Sequence, residues 1–251
     1  MGTVTTICNR KGGCGKSTTA LYLIGGLSKL NKRVLLIDID ERQTLTNKMA
    51  DPDRPTIAEV IRGTVTAQEA IQPAKFCDII PASPALVTPE VLINDRPGRE
   101  HILKKAIAPI IGKYDFILFD CPGSLNVLTI NALTASDNAI IPTIADEDSI
   151  TGVISMLDII EDVREYTNPK IKVAGILLTG LNNNTIFGNA MLQNVQNIAT
   201  KRNVKAFQPI RQTVEIQAAK YTAADVNILD SLKRNPAKAE IESFVSDYMK
   251  G

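Results

Sequence analysis

The run Asn9-Arg10-Lys11-Gly12-Gly13-Cys14-Gly15-Lys16-Ser17-Thr18-Thr19 carries the residue types that hold a phosphate chain. Glycines let the backbone curl so that several N–H groups face one anion, and the N-terminus of a following helix adds partial positive charge. Lys16 can then reach the β- and γ-phosphates of a nucleoside triphosphate, the Ser17 hydroxyl can ligate magnesium, and Thr18 can bond the α-phosphate. The strict pattern G-x-x-x-x-G-K-[ST] asks for glycine at position 10, where the chain has Arg10. What stands there is K-G-G-x-G-K-S, with Lys11 ahead of the glycines. A glycine-rich turn that binds nothing is the competing reading. The order of apolar strand, glycines, lysine, hydroxyl and amphipathic helix argues against it. Cys14 fills the variable place, either as a small residue that fits or as a thiol whose pKa is lowered by the helix N-terminus.

Phosphoryl transfer also needs carboxylates for magnesium and for the attacking water. Val34 to Asp40 ends in Asp38-Ile39-Asp40, which share a face if the strand continues. Phe116 to Asp120 is an apolar strand ending in an acid, followed by Cys121-Pro122-Gly123. Parallel strands end at one sheet edge, where ligands bind. Asp120 is expected to hold magnesium through water, Asp38 to support the metal shell, and Asp40 to position or activate the water. Taken singly, each aspartate is better explained as a cap or turn. Their convergence beside one phosphate loop favours the site.

The elements that must position these residues follow from short apolar runs alternating with helix-length periodic segments. Strands are expected over Thr3 to Cys8, Arg33 to Asp38, Asp78 to Pro81, Asp115 to Asp120, Asn138 to Pro142 and Lys172 to Thr179. They lack polar alternation, as strands covered on both faces do. Helices are expected over Ser17 to Leu30, Arg99 to Ile111, Asn126 to Ala135, Ile150 to Tyr166, Thr185 to Lys201 and Ala237 to Met249. Two short helices start at capping boxes, Thr56/Glu59 and Thr66/Glu69, with Gly63 ending the first. The implied architecture is α/β: one domain over residues 1–251, with a doubly wound, mainly parallel sheet flanked by helices.

Composition excludes several classes. With 251 residues, 44% hydrophobic, and a net charge of +1, the chain has no global polyanion-binding signature. Charge is local. Residues 144–165 hold Asp146, Glu147, Asp148, Asp158, Glu161, Asp162 and Glu165 against Arg164, whereas residues 200–238 are basic. Cys8, Cys14, Cys77 and Cys121 form no C-x-x-C pair and His101 is the single histidine, so no zinc-type cluster assembles. Reduced thiols and a cytoplasmic setting are expected. No apolar run is long enough to span a membrane, and no secretory-leader pattern precedes the first strand.

Lys11 to Thr18, Asp38/Asp40 and Asp120-Cys121-Pro122 together resemble the deviant Walker A ATPases of the ParA/MinD group. The resemblance extends through Tyr114 to Leu125, Thr129 to Asp137 and Val173 to Thr179, and is nearest to the short ParA/Soj-like partition proteins. It implies a P-loop ATPase that hydrolyses ATP with Mg2+. Gly12, Gly13, Cys14, Gly15, Lys16, Ser17 and Thr18 would cradle the nucleotide. Lys11 would contact nucleotide in the other subunit of an ATP-sandwich homodimer. It places adenine contacts near Thr179 to Asn184 and Pro209. It further implies nonspecific DNA binding on the nucleoid through Arg202, Lys205, Arg211, Lys220, Lys233 and Arg234, with hydrolysis stimulated by a ParB-like partner. Two positions depart from the pattern. D-x-D-P-Q becomes Asp38-Ile39-Asp40-Glu41-Arg42-Gln43, which leaves Arg42 and Gln43 without assigned roles. Pro-Pro after Asp120 becomes Pro122-Gly123.

Two other readings stay open. A MinD-like positioning ATPase would need a basic terminal helix, and Ala239 to Gly251 carries three acids against one lysine. An ATP-dependent ligase or amidotransferase-type enzyme on the same fold would need an acceptor pocket, for which no motif stands out.

Overall fold

The computed structural model describes residues 2–93, 96–182 and 184–250. Eight strands form one sheet: β1 (Thr3–Ile7), β2 (Val34–Asp38), β3 (Gln72–Pro73), β4 (Asp78–Ile80), β5 (Phe116–Asp120), β6 (Asn138–Thr143), β7 (Lys172–Leu181) and β8 (Ile210–Arg211). Their order is β3-β4-β2-β5-β1-β6-β7-β8. All neighbours are parallel except β3 and β4. The phosphate-loop strand β1 therefore lies centrally, between β5 and β6.

Twelve α-helices connect and cover the sheet: α1 (Lys16–Lys29), α2 (Thr46–Met49), α3 (Ile57–Arg62), α4 (Ala67–Ala70), α5 (Pro89–Ile93), α6 (Ile102–Ile107), α7 (Val127–Ala135), α8 (Glu147–Tyr166), α9 (Ile186–Lys201), α10 (Val214–Tyr221), α11 (Ile228–Ser231) and α12 (Pro236–Met249), counted among the described residues.

Alternate side chains along each strand face opposite sides. Leu35 and Ile37 of β2, with Ile117 and Phe119 of β5, pack under α3, α6, α7, α8 and α9. Val34, Leu36 and Leu118 pack on the other side, under α1, α10, α11 and α12. Covering both faces is why the strand sequences read as unbroken apolar runs.

All six expected strands form. Strands β3 and β8, two residues each at the sheet edges, were not anticipated, because so short a run carries no periodic signal. The helix expected over residues 99–111 is broken. A 3-10 turn over Arg99–His101 leads into α6, which stops at Ile107, and a second 3-10 turn covers Ile111–Lys113. Pro109 has no N–H to continue the helical ladder. Helix α8 begins three residues before the expected Ile150, because the Asp146 carboxylate accepts from Ser149 N and caps it there. Both capping boxes form, and Gly63 ends α3 with φ +81°.

Helix α12 seals the side of the sheet that carries α1. The Tyr248 hydroxyl lies 2.6 Å from Thr5 Oγ1 of the central strand, in a fully buried pair, and Phe244 meets Phe207 edge-on at 5.0 Å. Tyr248→Phe should lower unfolding free energy by about 1 kcal/mol in urea titration, since the Thr5 hydroxyl is left buried without its partner. Nucleotide affinity should not change, because this contact lies away from the loop.

Candidate nucleotide site

The loop after β1 turns into α1 through Gly13 and Gly15, with φ of +78° and +94°. An L side chain rarely adopts that backbone, and at Gly15 an added Cβ would also meet Thr179 Oγ1 at 2.7 Å. Asn9 pins the loop from below: its Nδ2 donates to Pro142 O at 2.8 Å, at the end of β6. The Lys16 ammonium is nearly buried and folds back onto the loop, donating to Lys11 O at 3.0 Å and Asn9 O at 3.3 Å. A cation held by two carbonyl oxygens and the Cys14 sulfur, with no carboxylate on it, beside a curled glycine backbone suits an incoming anion.

Beneath the loop, Asp38 and Asp120 face each other across the β2–β5 ladder, on strands about 4.8 Å apart. Their environments differ sharply. Asp38 accepts from Asp40 N at 3.0 Å, Thr46 N at 3.0 Å and Thr46 Oγ1 at 2.8 Å. Asp120 is fully buried, and neither carboxylate oxygen has a well-formed hydrogen bond. Burial pushes Asp38 up to about 6, against the pull of its hydrogen bonds. Burial and the neighbouring Asp38 push Asp120 well above the ordinary carboxylate range, opposed by the Ser17 hydroxyl and the Lys16 charge.

A buried carboxylate next to a helix-start hydroxyl supplies the hard oxygen donors that a small cation takes. Among the described residues no cluster of three or more His, Cys, Asp or Glu could hold a metal unaided. Magnesium bound through one or two carboxylates plus substrate phosphates does not need such a cluster. Ser17, Asp120 and a phosphate chain therefore fit it, with Asp38 behind.

Strand β2 ends at Asp38, so Asp38 and Asp40 do not share a strand face as expected. The chain turns instead. Asp40 N bonds back to the Asp38 carboxylate, and Asp40 Oδ1 accepts from Arg42 N at 3.0 Å. The turn carries Asp40 into the wall of a cavity of about 530 Å3 that Gly13, Gly15, Lys16, Ser17 and Thr18 also line. An adjoining cavity of about 440 Å3 shares Arg211, Gln212, Thr213 and Gln217 with it. Of the segment expected near a base, Thr179 and Gly180 line the first cavity and Leu181, Asn182 and Asn184 the second, while Asn183 lies outside the described residues. Pro209 lines neither; Arg211, Gln212 and Thr213 beyond it do.

Lys11 does not line its own loop's cavity. Its ammonium pairs with Asp146 at the start of α8 and lies 3.5 Å from Asp148. The Asp146 contact raises the Lys11 pKa and helps to lower that of Asp146 against the effect of burial. Cys14 is buried and its thiol is pushed up, with Lys16 opposing. That direction is opposite to the lowering a reactive thiol would need. Cys8 and Cys77 are likewise buried and raised to about 12, and burial also raises the Cys121 thiol well above its ordinary value.

The six basic residues expected to meet DNA are placed differently from one another. Arg202 pairs with Asp158 at 2.6 Å, and Lys205 with Asp247 at 3.4 Å. Arg211 bonds the buried Glu240 at 2.6 Å, and it and Lys220 line the nucleotide cavity. Burial, then Lys48, lowers the Lys220 pKa. Lys233 and Arg234 are exposed on the turn between α11 and α12. Arg211, Lys220 and the Lys48–Tyr221 stack at 5.2 Å give the cavity a cationic wall that spacing alone did not reveal.

Residues 2–173 match the family model described as an AAA domain. The chromosome partitioning protein ParA of Myxococcus xanthus is 31% identical over 214 residues, 83% of this chain and 76% of that protein. The sporulation initiation inhibitor protein Soj of Bacillus subtilis is 34% identical over 209 residues, 78% of this chain and 79% of that protein. Among solved structures, cobyrinic acid a,c-diamide synthase from Mycobacterium smegmatis, with bound ATP analog and magnesium, is 33% identical with a TM-score of 0.79, covering 88% of this chain and 91% of that one. The chain belongs to the AAA-domain family, in its ParA/Soj-like group of P-loop ATPases.

The buried acid pair has a measurable consequence. Carboxylates in an unfolded chain titrate near pH about 4, whereas folded Asp38 is raised to about 6 and burial with the neighbouring Asp38 raises Asp120 well above its ordinary value. The native state then holds more protons than the unfolded state, so stability without nucleotide falls as pH rises from about 4 through 6 and beyond. Asp120→Asn should therefore melt about 3 °C or more above the parent near pH about 7.5 without nucleotide, yet lose magnesium-dependent nucleotide affinity. A lower melting temperature for the variant at that pH would show that Asp120 is not an uncompensated charge.

Proposed function

We propose that this ATPase is a partition-type dimer switch. ATP with Mg2+ closes two chains face to face, the dimer holds DNA without sequence preference, and a ParB-like partner stimulates hydrolysis and release. ATP hydrolysis itself follows from the family and the loop. The observation that carries the dimer reading is the position of Lys11. This cation flanks the phosphate loop but serves Asp146 and Asp148 in place of its own cavity. A half-exposed ion pair of this kind is weakly held, so Lys11 is free to reach a nucleotide in a second subunit. There it would act as a transition-state cation supplied in trans. Asp40, in the cavity wall and bonded to the Arg42 backbone, is assigned the orienting of water on this reading.

DNA contact is assigned to the carboxyl-terminal half. Lys233 and Arg234 are the freest of the expected residues. Arg202 and Lys205 could contribute once their surface ion pairs exchange for phosphate. Arg211 and Lys220 are better suited to the nucleotide. A cytoplasmic, nucleoid-associated location follows from this reading.

The diamide synthase likeness supports a second reading, ATP-driven amide formation on a small acid, with the cavity of about 440 Å3 as the acceptor site. Glutamine-dependent amidation uses a reactive thiolate, and all four cysteines are buried with raised pKa values. A membrane-positioning role finds less support. No helix among the described residues is long and apolar enough to cross a membrane. The apolar face of α12 (Ile241, Phe244, Val245 and Tyr248) is already buried in the fold.

Sedimentation with random duplex DNA should show binding with ATP only, weakening steeply with salt. Equal binding with ADP, or none with ATP, contradicts the proposal. Asp40→Ala should keep ATP binding and dimerisation while turnover drops at least ~100-fold. Full turnover in that variant removes Asp40 from its assigned role.

A further inference from the structure

The two departures from the family pattern, Arg42 after Asp40 and Gly123 after Pro122, meet in space. A Cβ added to Gly12 would lie 2.8 Å from Arg42 Nη2 and 3.2 Å from Nη1, and one added to Gly123 would lie 3.4 Å from Nη2. The guanidinium thus rests on the backbone of the phosphate loop, with Gly123 beside it. A side chain at Gly123 would also press on Gly12 Cα at 3.0 Å. The turn that aims Arg42 is fixed at both ends: Arg42 N donates to Asp40 Oδ1, and Gln43 N donates to Asp40 O at 2.9 Å. Gln43 closes it at φ +56°, a strained backbone for a residue with a side chain.

The guanidinium has no ion pair or side-chain hydrogen bond among the described residues. Its five donors face solvent in the wall of the cavity that Lys16 and Asp40 also line, so they are open to a ligand. Thr18 lies farther along α1, whereas Gly12, Asp40 and Arg42 gather at the entry of the loop. With the α-phosphate at Thr18, as the sequence leads one to expect, the terminal phosphate would lie toward that end.

We propose that Arg42 binds the terminal phosphate in cis, making this chain discriminate nucleoside triphosphate from diphosphate within one subunit. The guanidinium fork would take two oxygens that a diphosphate lacks, adding charge to that of Lys16. Gly123 is the space-making partner of this contact. The proposal rests on the reading that the loop binds ATP.

The test is ATP and ADP affinity, each with magnesium, measured by calorimetry for the parent, Arg42→Ala and Arg42→Lys. Losing one charge-assisted fork to phosphate should weaken ATP about 10–100-fold in Arg42→Ala while ADP affinity stays. Arg42→Lys, which keeps the charge but loses the fork, should fall between. An exposed side chain makes folding failure a minor concern, and the nucleotide-free melting temperature checks it. An ATP-to-ADP affinity ratio in Arg42→Ala equal to that of the parent overturns the proposal, whatever happens to turnover. Failure of the parent to bind either nucleotide would strike the ATP reading itself.

Discussion

Asp120 is the constraint around which the site is organised. A carboxylate placed at the end of a central strand, fully buried and without a good donor, cannot be comfortable in the empty fold. Its neighbour Asp38 is equally buried but is occupied structurally. Through Thr46 it fixes the start of α2, and the Thr46 hydroxyl in turn accepts from Ala82 N at 2.8 Å, beyond the end of β4. One member of the pair builds the sheet edge. The other has no well-formed hydrogen bond to either oxygen. That division of labour explains why two identical residues in register across a parallel ladder have different roles.

Much of this was legible in the sequence. The loop, the central strands and the three aspartates announce themselves through types and short spacings, because a parallel sheet buried on both faces and a phosphate loop both impose local patterns. What escaped was contact across long stretches of chain. Arg211 looked like one more basic residue in a basic half until Glu240, on α12, was seen beside it. Lys11 meets Asp146 across more than half the chain. The guanidinium of Arg42 on Gly12 could not be inferred, since the turn after Asp40 departs from the family pattern. The broken helix near Pro109 was readable in principle, as proline there forfeits a backbone donor.

The basic carboxyl-terminal half illustrates how composition misleads about sites. Charge counted along the chain merges residues that face a cavity, residues neutralised by acids on α8 or α12, and residues free in solvent. Only the third kind contributes an unobstructed field to a polyanion. The fold sorts them, and the sorting puts part of the positive charge in the wall of the cavity beside the phosphate loop.

Asp146 splits its work in a way that matters for motion. Oδ1 accepts from Ser149 N at 2.9 Å and also meets Lys11, while Oδ2 accepts from the Ser149 hydroxyl at 2.6 Å. If the lysine departs, the helix keeps its cap. Detachment therefore involves only the contacts of Lys11 with Asp146 and Asp148, and α8 has no need to unwind or shift. Lys11 can change partners on the timescale of a side-chain rotation, so its release would not limit any such cycle.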